Sequence, residues 1–326
     1  MRGYSYGAPL FLPAREIARN CPIPELLDKR LVIVTGKGGV GKTTVAVALG
    51  LRAASEGKRT IVCEVSSQEN ASRVFKKGEV GFNEVPVADN LWAISIDPDK
   101  MVREYLEVLL PVKAMASLLY RSNLFGYLAA ATPGLQEVVS IGKAYELTLD
   151  VRRAPGDGRT YDLVIVDAPA TGHGVGFLEA PGTFRRIARG GPLADQASRI
   201  ERMITDSARS GVGIVATAEE MAVNESADLA AGLAEAGVAL DEVFANGLFP
   251  ERFEAAELEE IRAAREQLPS AALDAAIAEA ERAETQRIEL RRLRGIAGEV
   301  PIHELPFLFT PAFGEDELRR ISAVLG

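Results

Sequence analysis

The sequence predicts an α/β fold in which a mostly parallel, doubly wound sheet carries a helical insertion. Three apolar runs support this prediction. Residues 31–35 are apolar or β-branched and lead through a glycine-rich turn into an alanine-rich segment that reaches Leu51. The run 60–65 has the same character, and residues 161–167 form a third. A strand, a helix and a second strand at this spacing imply a right-handed crossover and therefore parallel strands.

The glycine-rich turn after the first strand matches the phosphate-binding loop of a P-loop NTPase. Gly36, Gly41, Lys42 and Thr43 satisfy the pattern G-x-x-x-x-G-K-[ST]. The glycines let backbone N–H groups surround a polyphosphate, and the following helix directs its positive end at the same anion. Lys42 is expected to contact the β- and γ-phosphates, and Thr43 to hold Mg²⁺. A chance turn is disfavoured because strand, loop and helix follow in the confirming order. The predicted nucleotide-binding residues of the loop are Gly36, Lys37, Gly38, Gly39, Val40, Gly41, Lys42, Thr43 and Thr44.

The remaining chain alternates between predicted strands and helices. Further strands are predicted at residues 91–97, 161–167, 213–217, 242–246 and 300–307. Helices are predicted at residues 224–236, 253–267, 271 to about 294, and 315–325. Between residues 99 and 153 the apolar spacing is helical, which predicts an insertion. Its apolar stripes are expected to face a core, with a contact surface as the alternative.

Asp167 ends the apolar strand 161–167 and is the predicted partner of the phosphate loop. A carboxylate at the end of such a strand, downstream of a phosphate loop, is the Walker B arrangement. We expect Asp167 to hold Mg²⁺ directly or through water and to serve catalysis together with Lys37 and Lys42.

Composition narrows the function class. With 47% hydrophobic and 25% charged residues, the 326-residue chain is typical of a globular protein. A net charge of −9 argues against a surface devoted to nucleic acid. Cys21 and Cys63 form neither a disulfide framework nor a C-x-x-C motif. No run approaches the length that spans a bilayer, and no signal-peptide core is seen, so a cytoplasmic location is expected.

The simplest organisation is an N-terminal extension, residues 1–29, followed by a single ATPase domain, residues 30–326. The helical insertion at about 99–153 belongs to that domain. A packing arm is the preferred interpretation of the extension, and a tail that binds a partner is the alternative.

Several motifs together resemble one family. Lys37 directly follows the first loop glycine, which resembles the deviant Walker A signature of the ParA, MinD, nitrogenase iron protein and arsenite-pump superfamily. The segments 90–98, 133–137 and 161–173 extend the match to the arsenite-pump ATPase family, which includes the ATPase that targets tail-anchored membrane proteins. The resemblance runs from about residue 29 to the C-terminus.

The resemblance implies a role for each matching residue. Lys37 would reach across a dimer to the partner's nucleotide, and residues 167–173 would form switch II. Asn246 would recognise adenine, and Pro306 and Phe307 would belong to the loop over that base. His173 has the alternative of a plain hydrogen-bonded loop residue. The implied cofactors are ATP and Mg²⁺, and the implied partner is a second copy or a paralogue.

Three departures from the family pattern limit these expectations. Ser66 stands where the family's switch I carries an aspartate that positions water, so hydrolysis is expected to be slow, with Gln68 or Glu69 as substitutes. The targeting ATPase's C-x-x-C and the pump's arsenite-binding cysteines are missing. There is one phosphate loop where the pump ATPase has two, so a second chain would have to complete the site.

The leading hypothesis is a Mg²⁺-ATP-dependent dimeric ATPase whose nucleotide state switches a helical region that binds a client or partner. The client is unknown, and any membrane link would run through it. The alternative, motivated by Ser66, is a regulatory or scaffold protein that binds ATP with little or no hydrolysis. A membrane-binding partitioning ATPase is a third possibility that fits the phosphate loop. Such an ATPase needs a basic amphipathic C-terminal helix, and the predicted C-terminal helix of this sequence is not basic.

Overall fold

The computed structural model describes most of the chain from residue 24 onward. The described residues are 24–65, 83–98, 100–102, 134–150, 160–169, 174–187, 190–268 and 270–326.

Eight strands form one sheet in the order β3-β4-β2-β5-β1-β6-β7-β8. All neighbouring pairs are parallel except β3 and β4. The strands are β1 Leu31–Thr35, β2 Thr60–Val65, β3 Val85–Ala88, β4 Leu91–Ile96, β5 Leu163–Asp167, β6 Ser210–Thr217, β7 Glu242–Leu248 and β8 Ile302–Pro306. The prediction of a mostly parallel α/β sheet is confirmed.

Helices connect the strands and cover the sheet. They are α1 Pro24–Leu27, α2 Lys42–Ser55, α3 Leu135–Leu147, α4 Gly174–Ile187, α5 Pro192–Ile204, α6 Glu220–Glu235, α7 Ala255–Gln267, α8 Ala271–Ala297 and α9 Glu315–Val324. None of the helices in the described part of the chain is long and apolar enough to cross a membrane. The longest, α8, is rich in charged residues and buries only a narrow stripe that includes Leu290 and Leu293.

Alternate residues of each central strand pack on opposite faces of the sheet. In β1, Val32 and Val34 join the core beneath α2 and α9, whereas Leu31 and Ile33 join the core beneath α3, α5 and α6. Both sets are buried, which explains why the strands read as continuous apolar runs rather than as an alternating pattern. The phosphate loop therefore leaves a strand that is held on both faces and on both edges.

The structure adds three elements that the sequence analysis did not predict. The edge strand β3 contains Pro86 and has only four residues, so its pattern is too short to indicate a strand. Helix α4 contains Pro181 and several glycines, and these residues are typical of loops. Helix α5 was also missed. The predicted ends of other elements differ by a few residues; β6, for example, begins at Ser210 rather than at Gly213.

Helix α3 lies within the predicted insertion, yet its buried side chains pack on the sheet. Ile141, Ala144 and Leu147 belong to the same core cluster as Leu31 and Ile33 of β1. Residues 99, 103–133 and 151–153 of the predicted insertion lie outside the described residues, as do all but the last six residues of the N-terminal extension. The domain boundaries thus stay a prediction.

Replacing Ile141 tests whether α3 is part of the sheet's core. Ile141 is fully buried, and removing its side chain leaves a cavity, so Ile141→Ala is expected to lower the free energy of unfolding by about 2–5 kcal/mol. Urea denaturation should show one cooperative transition with a lowered midpoint. The matched control is Glu137→Ala on the half-buried side of the same helix, which should cost less than about 1 kcal/mol. A local transition that spares the sheet would contradict the assignment.

Candidate functional site

Two glycines hold the phosphate loop in a shape that other residues cannot adopt. Gly36 has φ +144°, and a Cβ there would lie 2.2 Å from the carbonyl oxygen of Val215 in β6. Gly41 has φ +94°, and a Cβ there would lie 2.2 Å from Nδ2 of Asn246. The loop is therefore pressed against β6 at its start and against the end of β7 at its finish.

The middle of the phosphate loop is exposed to solvent, whereas the side chain of Val40 is buried. Gly38 and Gly39 are exposed, whereas Val40 is buried in the core cluster beneath α2. Gly41 is the N-cap of the 14-residue helix α2. The free N–H groups of that helix end and its positive dipole end make this an anion-binding position.

Lys42 is a buried cation at the start of α2. Its Nζ donates a hydrogen bond to the backbone oxygen of Lys37 at 2.9 Å. Burial lowers the pKa of Lys42, and the nearby charges of Asp167 and Glu225 raise it in part. The side chain is thus bound to the loop itself, with its positive charge incompletely balanced.

Asp167 lies next to the loop, at the end of β5. Thr43 Oγ1 donates a hydrogen bond to Asp167 Oδ2 at 2.5 Å. The pKa of Asp167 is raised to about 7, chiefly by burial and in smaller part by the charge of Glu64, while the Thr43 hydrogen bond and the Lys42 charge oppose the rise. The desolvation of this carboxylate outweighs its attraction to the neighbouring lysine.

Glu64 is a second buried carboxylate that the sequence analysis did not select. It lies in β2, in register with Asp167 of the adjacent β5, so the two side chains point to the same face of the sheet. Glu64 is 4% exposed. The available signal was an acidic residue inside the otherwise apolar run 60–65, a position where unpaired charges are rare.

The oxygen atoms around Thr43 fit Mg²⁺. Within the described part of the chain, Asp167 Oδ1 and Thr35 Oγ1 are buried without a hydrogen-bond partner, and both residues end neighbouring strands. With the Thr43 hydroxyl, the Asp167 carboxylate offers the hard oxygen ligands that Mg²⁺ prefers beside bound phosphates. No group of three or more His, Cys, Asp or Glu residues arranged for a metal is found among the described residues.

Asn246 is held against the phosphate loop. Its Nδ2 donates a hydrogen bond to the backbone oxygen of Val40 at 2.8 Å. This contact fixes the orientation of the amide, because the flipped amide would set two oxygens against each other. Its Oδ1 accepts no hydrogen bond from the described residues and stays available to a ligand.

The predicted base loop follows β8 and is tied to β7 close to Asn246. Pro306 ends β8, and the backbone N–H of Phe307 donates to the oxygen of Leu248 at 2.8 Å. The Phe307 ring stacks on Phe249 with centroids 4.5 Å apart, and 41% of Phe307 is exposed. The structure thus connects Asn246 and Phe307 through the end of one strand.

Other predicted site residues fall elsewhere. Lys37 is half-buried at the start of the loop, and its Nζ lies 3.6 Å from Glu225 Oε2 of the same chain. Ser66, Gln68, Glu69 and His173 lie outside the described residues. The structure therefore brings Lys42, Thr43, Asp167 and Asn246 around one loop, while their roles toward a nucleotide stay predictions.

Comparison with known proteins identifies similar chains. The model of the anion-transporting ATPase family matches residues 29–189 and 192–325. The ATPase BagA of Mycobacterium tuberculosis is 28% identical over 236 residues, which cover 70% of this chain and 68% of the relative.

Two further relatives match shorter shares of their own length. An arsenical pump-driving ATPase of Acidiphilium multivorum is 27% identical over 67% of this chain and 39% of its own length. The ATPase ASNA1 homolog 2 of Paramecium tetraurelia is 33% identical over 48% of this chain and 45% of its own. The match to the family model covers both the phosphate loop and the C-terminal half of the chain.

Replacing Asp167 tests the cost of its buried charge. The folded protein binds the Asp167 proton more tightly than the unfolded chain, because the pKa of Asp167 is about 7 in the fold, well above the ordinary value for an aspartate. The resulting stabilisation is complete below the unfolded pKa and is lost as pH rises through the folded one. In EDTA without nucleotide, Asp167→Asn should therefore raise the free energy of unfolding at pH 8 by about 2–4 kcal/mol.

The gain should shrink when the pH is lowered from about 8 to about 5, because the wild-type carboxyl then becomes protonated. Thermal melts at several pH values measure this. Asp228→Asn, an exposed change of the same charge, is the control and should leave stability nearly unchanged. A variant less stable than wild type at pH 8 would show that the charge is compensated.

Proposed function

The chain belongs to the anion-transporting ATPase family, and on that premise we propose that it is a Mg²⁺-ATP-dependent ATPase that works as a dimer. The partner would be a second copy or a paralogue. The nucleotide state would control the binding of a client or partner through the predicted insertion at about 99–153. Family membership gives the ATPase class, and the dimer, the switch and the client are the proposed part.

The observation that carries the proposal is the hydrogen bond from Thr43 to Asp167 beside the buried Lys42. Both charged groups are shifted toward their neutral forms by burial. An anionic phosphate would favour the charged form of Lys42, and a divalent cation would favour the charged form of Asp167. Mg²⁺-ATP supplies both charges at once, which explains why one ligand can complete both halves of the site.

Catalysis would come from positioning and charge stabilisation. The loop N–H groups and Lys42 would hold the phosphates, and Thr43 and Asp167 would hold Mg²⁺, which neutralises charge that develops on the transferred phosphoryl group. Lys37 of a second chain would add another cation. Each of these side chains is assigned to the phosphates or to Mg²⁺, so in hydrolysis the attacking group would be water.

Driving an arsenical pump, the activity in the name of one relative, is not part of the function proposed for this chain. Arsenite binding in the family, as the resemblance implies it, uses cysteines, and this chain has only Cys21 and Cys63. Cys63 is buried in β2. We therefore propose that the client is not arsenite and that it binds this chain through a protein–protein contact.

A regulatory protein that binds ATP without useful turnover is the second candidate, and Ser66 favours it. Serine cannot act as a carboxylate base toward water. The two candidates share the nucleotide site and differ only in phosphate release, so one experiment separates them.

Replacing Lys42 separates the ATPase from the regulatory protein. If the chain hydrolyses ATP, Lys42→Ala should lower phosphate release at saturating Mg²⁺-ATP by about 100-fold, because a cation that stabilises transition-state charge is lost. Steady-state phosphate release, followed by a coupled dye assay, measures this. Lys58→Ala serves as control, because Lys58 precedes β2 and so lies at the amino ends of the parallel strands, away from the phosphate loop. Equal background rates for wild type and Lys42→Ala, with ATP bound tightly by wild type, would favour the regulatory protein.

Replacing Asn246 tests the recognition of adenine. With Nδ2 engaged by Val40, Oδ1 can accept the exocyclic amine of adenine, whereas the corresponding guanine oxygen would be repelled. Wild type should therefore bind ATP at least about tenfold more tightly than GTP, and Asn246→Ala should bring this ratio close to one. Competition with a fluorescent ATP analogue measures both affinities.

The ratio of the affinities for ATP and GTP reports base recognition alone, because the loss of the contact to Val40 weakens the binding of both nucleotides alike. Phe307→Leu keeps an apolar side chain after β8 and is the matched comparison: it should alter both affinities while preserving the ratio. An unchanged ratio in Asn246→Ala would exclude Asn246 as the residue that selects adenine.

A further inference from the structure

Lys37 forms an ion pair with its own chain. Its Nζ lies 3.6 Å from Oε2 of Glu225, which projects from α6, and each side chain is a little under one-third exposed. An ion pair that water reaches only in part is screened less than a surface pair. The first cation of the phosphate loop therefore has a counter-ion before any phosphate is bound.

The same carboxylate acts on the second loop cation. The charge of Glu225 raises the pKa of Lys42, opposing the effect of burial. Lys42 is bonded to the backbone oxygen of Lys37, so both lysines are engaged by oxygens of the protein. A polyphosphate entering the loop would meet cations that are already partly neutralised.

Helix α6 fixes the position of Glu225. Ala222, Val223 and Leu229 of this helix are buried in three different core clusters. Glu225 is thus mounted on a helix that the core holds from several sides. If Lys37 moves toward phosphates, the backbone of α6 does not move with it, so the contact with Glu225 is weakened unless the Glu225 side chain follows.

We propose that Glu225 is a positioning residue that holds Lys37 on its own chain in the nucleotide-free protein and competes with the phosphates of ATP for the loop cations. This inference rests on the proposed function, because it requires the loop to bind Mg²⁺-ATP. Glu225 sets how readily Lys37 is released and hence how tightly the nucleotide binds.

Replacing Glu225 by glutamine removes the competing charge and keeps the shape of the side chain. Glu225→Gln should bind Mg²⁺-ATP about two- to fivefold more tightly, the range expected for a partly exposed ion pair. The KM for ATP should fall by a similar factor, while kcat is unchanged or higher. The difference should shrink between about 0.05 and 0.5 M NaCl, because salt screens the pair.

The control is Asp228→Asn, which removes the same charge from the exposed side of α6 and should leave the affinity unchanged. In a Lys37→Ala background, Glu225→Gln should give a smaller gain, since one of its two cations is absent. A structural role alone would lower the melting temperature without tightening ATP binding. If Glu225→Gln does not fold, Glu225→Asp, which shortens the side chain by one methylene, should show a gain in the same direction.

The outcomes separate this inference from the proposed function. If wild type and Lys42→Ala both fail to bind Mg²⁺-ATP, the proposed function is overturned and this inference falls with it. If wild type binds, Lys42→Ala does not, and a folded Glu225→Gln binds no more tightly than wild type, this inference alone is overturned. Tighter binding in Glu225→Gln that is absent from Asp228→Asn supports it.

Discussion

The burial of opposite charges at the edge of the sheet is the constraint on which the site depends. Lys42 and Asp167 lie near each other, yet each is shifted toward its neutral form, because desolvation exceeds their attraction. A protein that only needed stability would place apolar side chains here. Apolar side chains form large core clusters beneath α2 and on the opposite face, and these clusters hold Lys42, Asp167 and the neighbouring Glu64 in a fixed geometry with little exposure to solvent. This geometry is what a ligand carrying both a cation and an anion can complete.

The sheet order brings these charges together. β1, which leads into the loop, lies between β5 and β6, so Asp167 is on one side of it and the segment that ends at Thr217 on the other. β7 is one strand further and carries Asn246 to the loop. Residues more than two hundred positions apart thus meet because parallel strands end at the same edge. The helices in between can vary in length without moving this edge.

Much of this arrangement follows from local sequence. The loop pattern, the apolar strands and Asp167 were predictable because each has a short-range signature. Glu225 was not, because it is one of several acidic residues on an amphipathic helix and only the tertiary structure brings it to Lys37. Helix α4 and strand β3 were missed for a different reason: both contain proline, and packing overrides the local preference. Pro306 and Phe307 were selected through the resemblance alone, and no local pattern around them indicates a ligand.

The close contact of Gly36 with β6 has a consequence for how sequences of this family are compared. A side chain at position 36 would collide with the carbonyl oxygen of Val215, whether or not the protein binds a ligand. A Cβ at position 39 would meet no other atom of the described residues within 4 Å beyond its chain neighbours, so there the positive φ is what resists a side chain. Glycine at the first position is therefore retained by the sheet itself, even in a homologue that has lost its nucleotide. In such a homologue, substitutions are expected first at Gly38 and Gly39, in the exposed middle of the loop.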